Sequence, residues 1–223
     1  MSAISDYLEP ILLDLVFNKE AFTGPANHIA LYTAQPGDGD TGIEVSGGSY
    51  ARILVNEATS VSTPRWNAAV VDADGYVVDN AQAITFAQAT GAWGIITSFG
   101  VRDSGAGGNL LWWGPLGTAP MHFVGIAADD YIYSQAHGRS TNDKVVFQTL
   151  DVPGTLPGGL SEETEYFVIG AATDRFQVST TQGGGAINLT TDGKGIVYLS
   201  QHKTVGLNDT FSFPIGNLDL RLE

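Results

Sequence analysis

From residue 28 onward the sequence alternates apolar runs of strand length with clusters of Gly, Asp and Ser, and that alternation leaves few folds open. The runs are HIALYTA (28–34), YARILVN (50–56), QAITFAQA (82–89), WGIITSFGVRD (93–103) and GNLLWWGPL (108–116). Between them lie QPGDGDTG, SGGS and DSGAGG, where Gly supplies positive φ and Asp closes local turns. Strands joined by short turns pair antiparallel and close into a sandwich or barrel. Composition agrees, since 28 Gly with only 15% charged residues describes many turns and not a helical bundle.

GNLLWWGPL is apolar on both faces. Neighbouring strand residues point opposite ways, so Leu110 and Trp112 are expected on one face and Leu111 and Trp113 on the other. A sandwich core covers one face; the N-terminal helix or a neighbouring subunit must cover the second. That helix is expected to begin near Glu9 or Pro10, with Ile11, Leu12, Leu15 and Val16 as the stripe that packs on a sheet. At the other end, Phe211, Phe213 and Ile215 alternate on odd positions and Leu218, Leu220 and Leu222 on even ones. A β-bulge at Gly216-Asn217 would keep all six on one core.

The charge balance excludes several function classes. Ten Lys plus Arg against 24 Asp plus Glu give a net charge of −14, the wrong sign for gripping DNA phosphates or an anionic membrane. With no Cys there is no disulfide framework, thiolate metal site or cysteine catalysis. The N-terminus lacks a basic segment followed by an apolar run, so synthesis in the cytoplasm without export is expected. His28, His122, His137 and His202 are far apart and read as solvated or turn residues, and no metal or cofactor is expected. DADGYVVDN (72–80) starts like a calcium loop but lacks its later Glu; a hairpin closed by Asp74-Gly75 and flanked by Val71 and Tyr76 explains the same letters. TQGGGA (181–186) lacks the Lys and helix of a phosphate cradle. Asp129 with Asp130, and Glu162, Glu163 and Glu165, sit in polar turns and read as solvated charge, so no catalytic residue is expected.

Four ordered blocks, YLEPILLDLVF, IALYTAQPGDGDTGIEVSGGSYAR, ITFAQATGAWGIITSFGVRDSGAGGNLLWWGPL and KTVGLNDTFSFPIGNLDLRL, resemble a family of small tailed-bacteriophage virion proteins described as tail or tail-fibre proteins. The resemblance takes in about the first 118 residues and the last 20. In that family the last block follows the third almost at once, whereas a long segment intervenes here. Its text, with YIYSQAHGRSTNDKVVF, GTLPGGLSEETEYFVIGAATDRFQVSTT and GAINLTTDGKG, resembles a small β-module of varied phage structural proteins. The fold class expected is therefore mainly β: an antiparallel β-sandwich or barrel with a short N-terminal helix and a second small β-domain inserted near the C-terminus. The expected domains are 1–121 with 204–223, and 122–203.

The resemblance implies a non-enzymatic virion structural protein that assembles symmetrically on the tail or neck as an appendage or adaptor. Head decoration is the alternative, and host carbohydrate binding by the inserted module a further one. The partners implied are other virion proteins of the tail, neck or major capsid, further copies of the chain, and a host surface glycan. Trp93, Trp112 and Trp113 are the candidate interface residues; Tyr131, Tyr133, Tyr166 and Phe167 are the candidate stacking platforms for a ligand.

Overall fold

A computed structural model describes residues 3–19, 24–55, 66–72, 75–149 and 155–222 of the chain. Its architecture is antiparallel and mainly β, and it divides into two compact units, Met1–Leu116 with His202–Glu223, and Gly117–Gln201. Among the described residues no helix is long and apolar enough to cross a membrane.

The first unit opens with β1 (Ala3–Ile4) and α1 (Leu8–Leu13). Ser5 starts the helix: its carbonyl accepts the Leu8 and Glu9 N–H groups at 2.9 and 3.2 Å, and Pro10 falls within the first turn, where its missing N–H costs nothing. The helix thus begins slightly earlier than the proline suggests, and it then widens into a π-helical turn, Asp14–Asn18, that ends at Lys19 in the left-handed region. The wider turn breaks the i, i+4 register. Ile11 and Leu12 pack on the core, but Leu15 and Val16, expected beside them, are 40% and 64% exposed.

Eight further strands follow, β2 (Asn27–Ala34), β3 (Ile43–Glu44), β4 (Ile53–Val55), β5 (Val70–Asp72), β6 (Gly75–Val78), β7 (Ile84–Thr85), β8 (Gly94–Ile96) and β9 (Ser98–Arg102), and then β10 (Leu110–Pro115). β1, β10, β9, β2 and β3 form one sheet in that order, with β4 also paired to β2. Its inner face carries Ile29, Leu31, Val55, Phe99 and Val101 into a core shared with Ile84, Phe86, Trp93 and Ile96. In the β5–β6 hairpin Val71 pairs with Tyr76 and Asp72 with Gly75. Gly75 therefore belongs to the ladder and not to the turn, and Asp74, expected beside it in the turn, lies outside the described residues.

β10 does not alternate as its letters suggest. Its register slips between Leu110, opposite Arg102, and Trp112, opposite Val101, so Leu111 is the extra residue of a bulge. The bulge reverses the parity. Leu111 and Trp112 both join the core, while Leu110 and Trp113 share the other face, where Trp113 sits opposite Gly100.

The second unit is a closed barrel in the order β11 (Gly117–Ile126), β12 (Tyr131–Tyr133), β15 (Arg175–Ser179), β14 (Tyr166–Ile169), β13 (Lys144–Gln148) and β16 (Gly193–Ser200). Period-two alternation fills it with Ile132, Val145, Phe147, Tyr166, Val168, Phe176, Val178 and Val197. His137 also lies inside, contrary to the solvated reading. Its Nδ1 accepts the Arg139 N–H at 2.9 Å, its Nε2 lies 3.3 Å from the Arg175 carbonyl, and its ring meets Phe176 at 4.9 Å.

The chain then completes the first unit with β17 (Lys203–Val205) on β8, β18 (Ser212–Phe213) on β7 and β19 (Leu220–Leu222) on β6. The segment expected to be one bulged strand is two strands in different sheets. Gly216, at φ +71°, belongs to the turn between them, and Ile215 is 64% exposed while Phe211, Phe213 and Leu218 are buried. Asn80, fully buried, holds that turn. Its amide donates to the Gln82 and Pro214 carbonyls at 2.8 Å each, and its oxygen accepts the Asn217 and Leu218 N–H groups at 3.1 and 2.8 Å.

Candidate functional site

The three tryptophans expected at an interface are built into the first unit itself. Trp93 and Trp113 are each 5% exposed. The Trp93 indole N–H donates to the Gly48 carbonyl at 3.0 Å, and that of Trp113 to Asp38 Oδ1 at 2.8 Å. Trp112 is half-buried and packs on the core.

The second face of the large sheet is closed by the loop 35–42 and a buried charged network. Arg102 pairs with Asp40 through Nη2, and its Nε donates to the Tyr32 hydroxyl at 2.8 Å. Arg52 grips Glu44 with two donors, at 2.7 and 2.6 Å, and Tyr50 donates to the same carboxylate at 3.1 Å. Burial pushes the Tyr32 phenol up to about 12, with Arg102 pulling the other way, and burial likewise raises Tyr50. Burial opposes the charge on Arg102, but Tyr32 and Asp40 more than restore it. Beside the network an open depression of about 250 Å³ is lined by Ser5, Asp6, Tyr7, Asp38, Asp40 and Asn109 among others.

The barrel presents a different surface. Tyr131 and Tyr133, two apart on β12, share its outer face and are half-buried. Their rings lie 6.2 Å apart at 53°. Asp129 reaches both residues: its Oδ1 accepts the Tyr131 backbone N–H at 3.2 Å, and its Oδ2 accepts from the Tyr133 hydroxyl at 2.6 Å and so orients that ring. On β15, Arg175 stands opposite Tyr133, and its guanidinium carbon lies 4.3 Å from the Tyr131 ring centroid, within cation–π range. The Tyr133 hydroxyl beside it holds the Arg175 pKa above its ordinary value. Gln177, next outward on β15, pairs with Ile169.

The four candidate platforms therefore separate. Tyr131 and Tyr133 form one half-exposed pair. Phe167 is also half-exposed on β14, with Lys144 Nζ 5.7 Å from its ring centre. Tyr166, its neighbour, points inward by alternation, is 3% exposed, and its hydroxyl accepts the Ser161 N–H at 2.9 Å; it is a core residue and no platform. Asp129 was read in the sequence only as solvated charge, and Arg175 and Gln177 were not singled out there. Their signal is the parity of DRFQVS, in which buried Phe176 and Val178 leave Arg175 and Gln177 outside.

The remaining carboxylates close turns. Asp130 accepts the Leu189 N–H at 2.7 Å, Glu162 the Thr149 N–H at 2.8 Å, and Glu165 pairs with Lys144 at 2.8 Å. Among the described residues no three His, Asp or Glu side chains gather to hold a metal ion.

No curated protein matches the chain. The family described as podophage GP4 fiber I protein gp80 matches residues 3–131, a stretch that runs from β1 through β11 to the first residue of β12 and leaves the last strands outside. With more than half of its 223 residues matched, the chain belongs to the family of podophage GP4 fiber I protein gp80 and is a bacteriophage virion structural protein.

Proposed function

We propose that the chain is a non-enzymatic component of a tail or neck appendage, assembled from several copies through its first unit. The family match carries this reading, because the matched residues supply nearly all of that unit's sheets. The surfaces for assembly are not the tryptophans. Leu13, Val16 and Phe17 at the end of the helical segment, and Val70, Val71 and Tyr76 on the β5–β6 hairpin, stay exposed, Phe17 and Val71 each at 74%. In a chain of net charge −14, uncharged apolar patches are where copies can meet without repulsion.

Sedimentation of the purified chain tests this directly. The wild type is expected to associate, and a Phe17→Asp, Val71→Asp double variant to run as a monomer with an unchanged circular dichroism spectrum. A wild type that stays monomeric at every concentration would contradict assembly through these surfaces.

A second reading concerns the barrel, taken as a module inserted into the family's fold: its outer face binds a saccharide. The half-exposed pair Tyr131 and Tyr133, the latter oriented by Asp129, favours this. Aromatic faces held in place by hydrogen bonds present sugar C–H groups with a surface that needs no reordering on binding.

A further inference from the structure

We propose that the Tyr131–Tyr133–Arg175 face of the barrel binds a sugar bearing a carboxylate, with Arg175 taking the acid group and Tyr133 the ring. The proposal rests on the saccharide reading and names its ligand class.

Charge complementarity selects the acid. The chain holds only 10 Lys and Arg against 24 acidic residues, and the cations elsewhere in its networks are matched: Arg52 to Glu44, Arg102 to Asp40, Lys144 to Glu165. Arg175 is exposed and makes no ion pair among the described residues. Asp129 and Asp174 flank it and keep their charge, but their oxygens accept from Tyr131, Tyr133 and, at 2.8 Å, the Ala136 N–H, and neither forms an ion pair with the guanidinium. The guanidinium carbon lies 4.3 Å over the Tyr131 ring, a contact that steadies the head group, and arginine's planar fork is what bidentate carboxylate recognition uses.

The same features exclude a polyanion. A phosphodiester chain needs several cations in a row; here Arg175 is flanked by Asp129 and Asp174, and the next cation in its row, Lys194, stands three strands away beyond Tyr133 and Val124. A single carboxylate on an otherwise neutral ring fits one cation beside an aromatic surface. Gln177 adds an amide able to donate to or accept from a hydroxyl.

The test is a glycan array carrying uronic-acid and sialic-acid glycans beside their neutral counterparts, probed with the full chain. Binding to the carboxylated members is expected, weakened at least tenfold by Arg175→Gln and by Tyr133→Ala. Arg175→Lys should retain part of it, and Lys19→Gln, at an exposed lysine of the first unit, should leave it unchanged. Thermal melts should show every variant folded, with the Arg175 and Lys19 variants coinciding with the wild type because those side chains are exposed. Equal binding to neutral glycans, or binding indifferent to Arg175→Gln, would overturn the acid specificity while leaving the saccharide reading standing. Silence across the array would overturn both.

Discussion

Trp112 and Trp113 are adjacent letters with opposite energetics. The Trp113 indole N–H reaches Asp38, whereas that of Trp112 is buried with no acceptor among the described residues. A buried unsatisfied donor costs about 1–3 kcal/mol, so Trp112→Phe should be within about 1 kcal/mol of the wild type, or more stable. Trp113→Phe leaves Asp38 unmatched and should cost about 1–3 kcal/mol; urea midpoints of the pair read the difference. Tyr32 and Tyr50 give the unit an alkaline limit. Their pKa values in the fold lie above the unfolded value of about 10, Tyr32 at about 12. Between those values the folded chain binds more protons than the unfolded one, so stability holds below about pH 10 and falls as pH rises toward 12. Urea midpoints measured from about pH 8 to about pH 11.5 should decline only in the upper part of that range, and a flat profile would contradict the buried phenols. None of these partners is legible locally, since Asp38 and Trp113 meet only after the chain has made several strands.

At the scale of elements, alternation in the letters predicted strands well and their faces less well. The Leu110–Trp112 bulge leaves no glycine or proline mark at the slipped residue, so the parity of β10 reads wrongly from sequence. The C-terminal run failed for the opposite reason: its parity flip was visible, but a bulge and a turn produce the same flip, and only the distant Asn80 decides between them. Asn80→Ala would leave the Asn217 and Leu218 N–H groups and the Pro214 carbonyl without their partner. A loss of about 3 kcal/mol is expected in chemical denaturation. Gly48 is a second fixed point. It sits at φ +55°, and a Cβ there would lie 2.8 Å from the Gly91 carbonyl oxygen and 2.9 Å from Trp93 Nε1. Gly48→Ala should therefore shift Trp93 fluorescence as well as lower the melting temperature.

At the scale of the whole molecule, the barrel's first and last strands pair antiparallel with Gly117 opposite Ser200. The chain enters and leaves the barrel side by side, the geometry that lets a module occupy a loop at little entropic cost. Replacing 117–201 by a short Gly-Ser linker should leave a first unit that melts cooperatively; a molten remainder would contradict its independence. The change of texture over about residues 122–203 marked a second β-rich region in sequence, but the proposed saccharide face was only half legible. Aromatic letters marked Tyr131 and Tyr133, and nothing local marked Arg175, which arrives from another strand of the barrel. The measurement that bears most directly on the account is gold-labelled antibody against the chain, imaged by electron microscopy on intact particles of the phage that encodes it. The account predicts gold confined to the tail or neck; gold spread over the head, or particles carrying none, would contradict it.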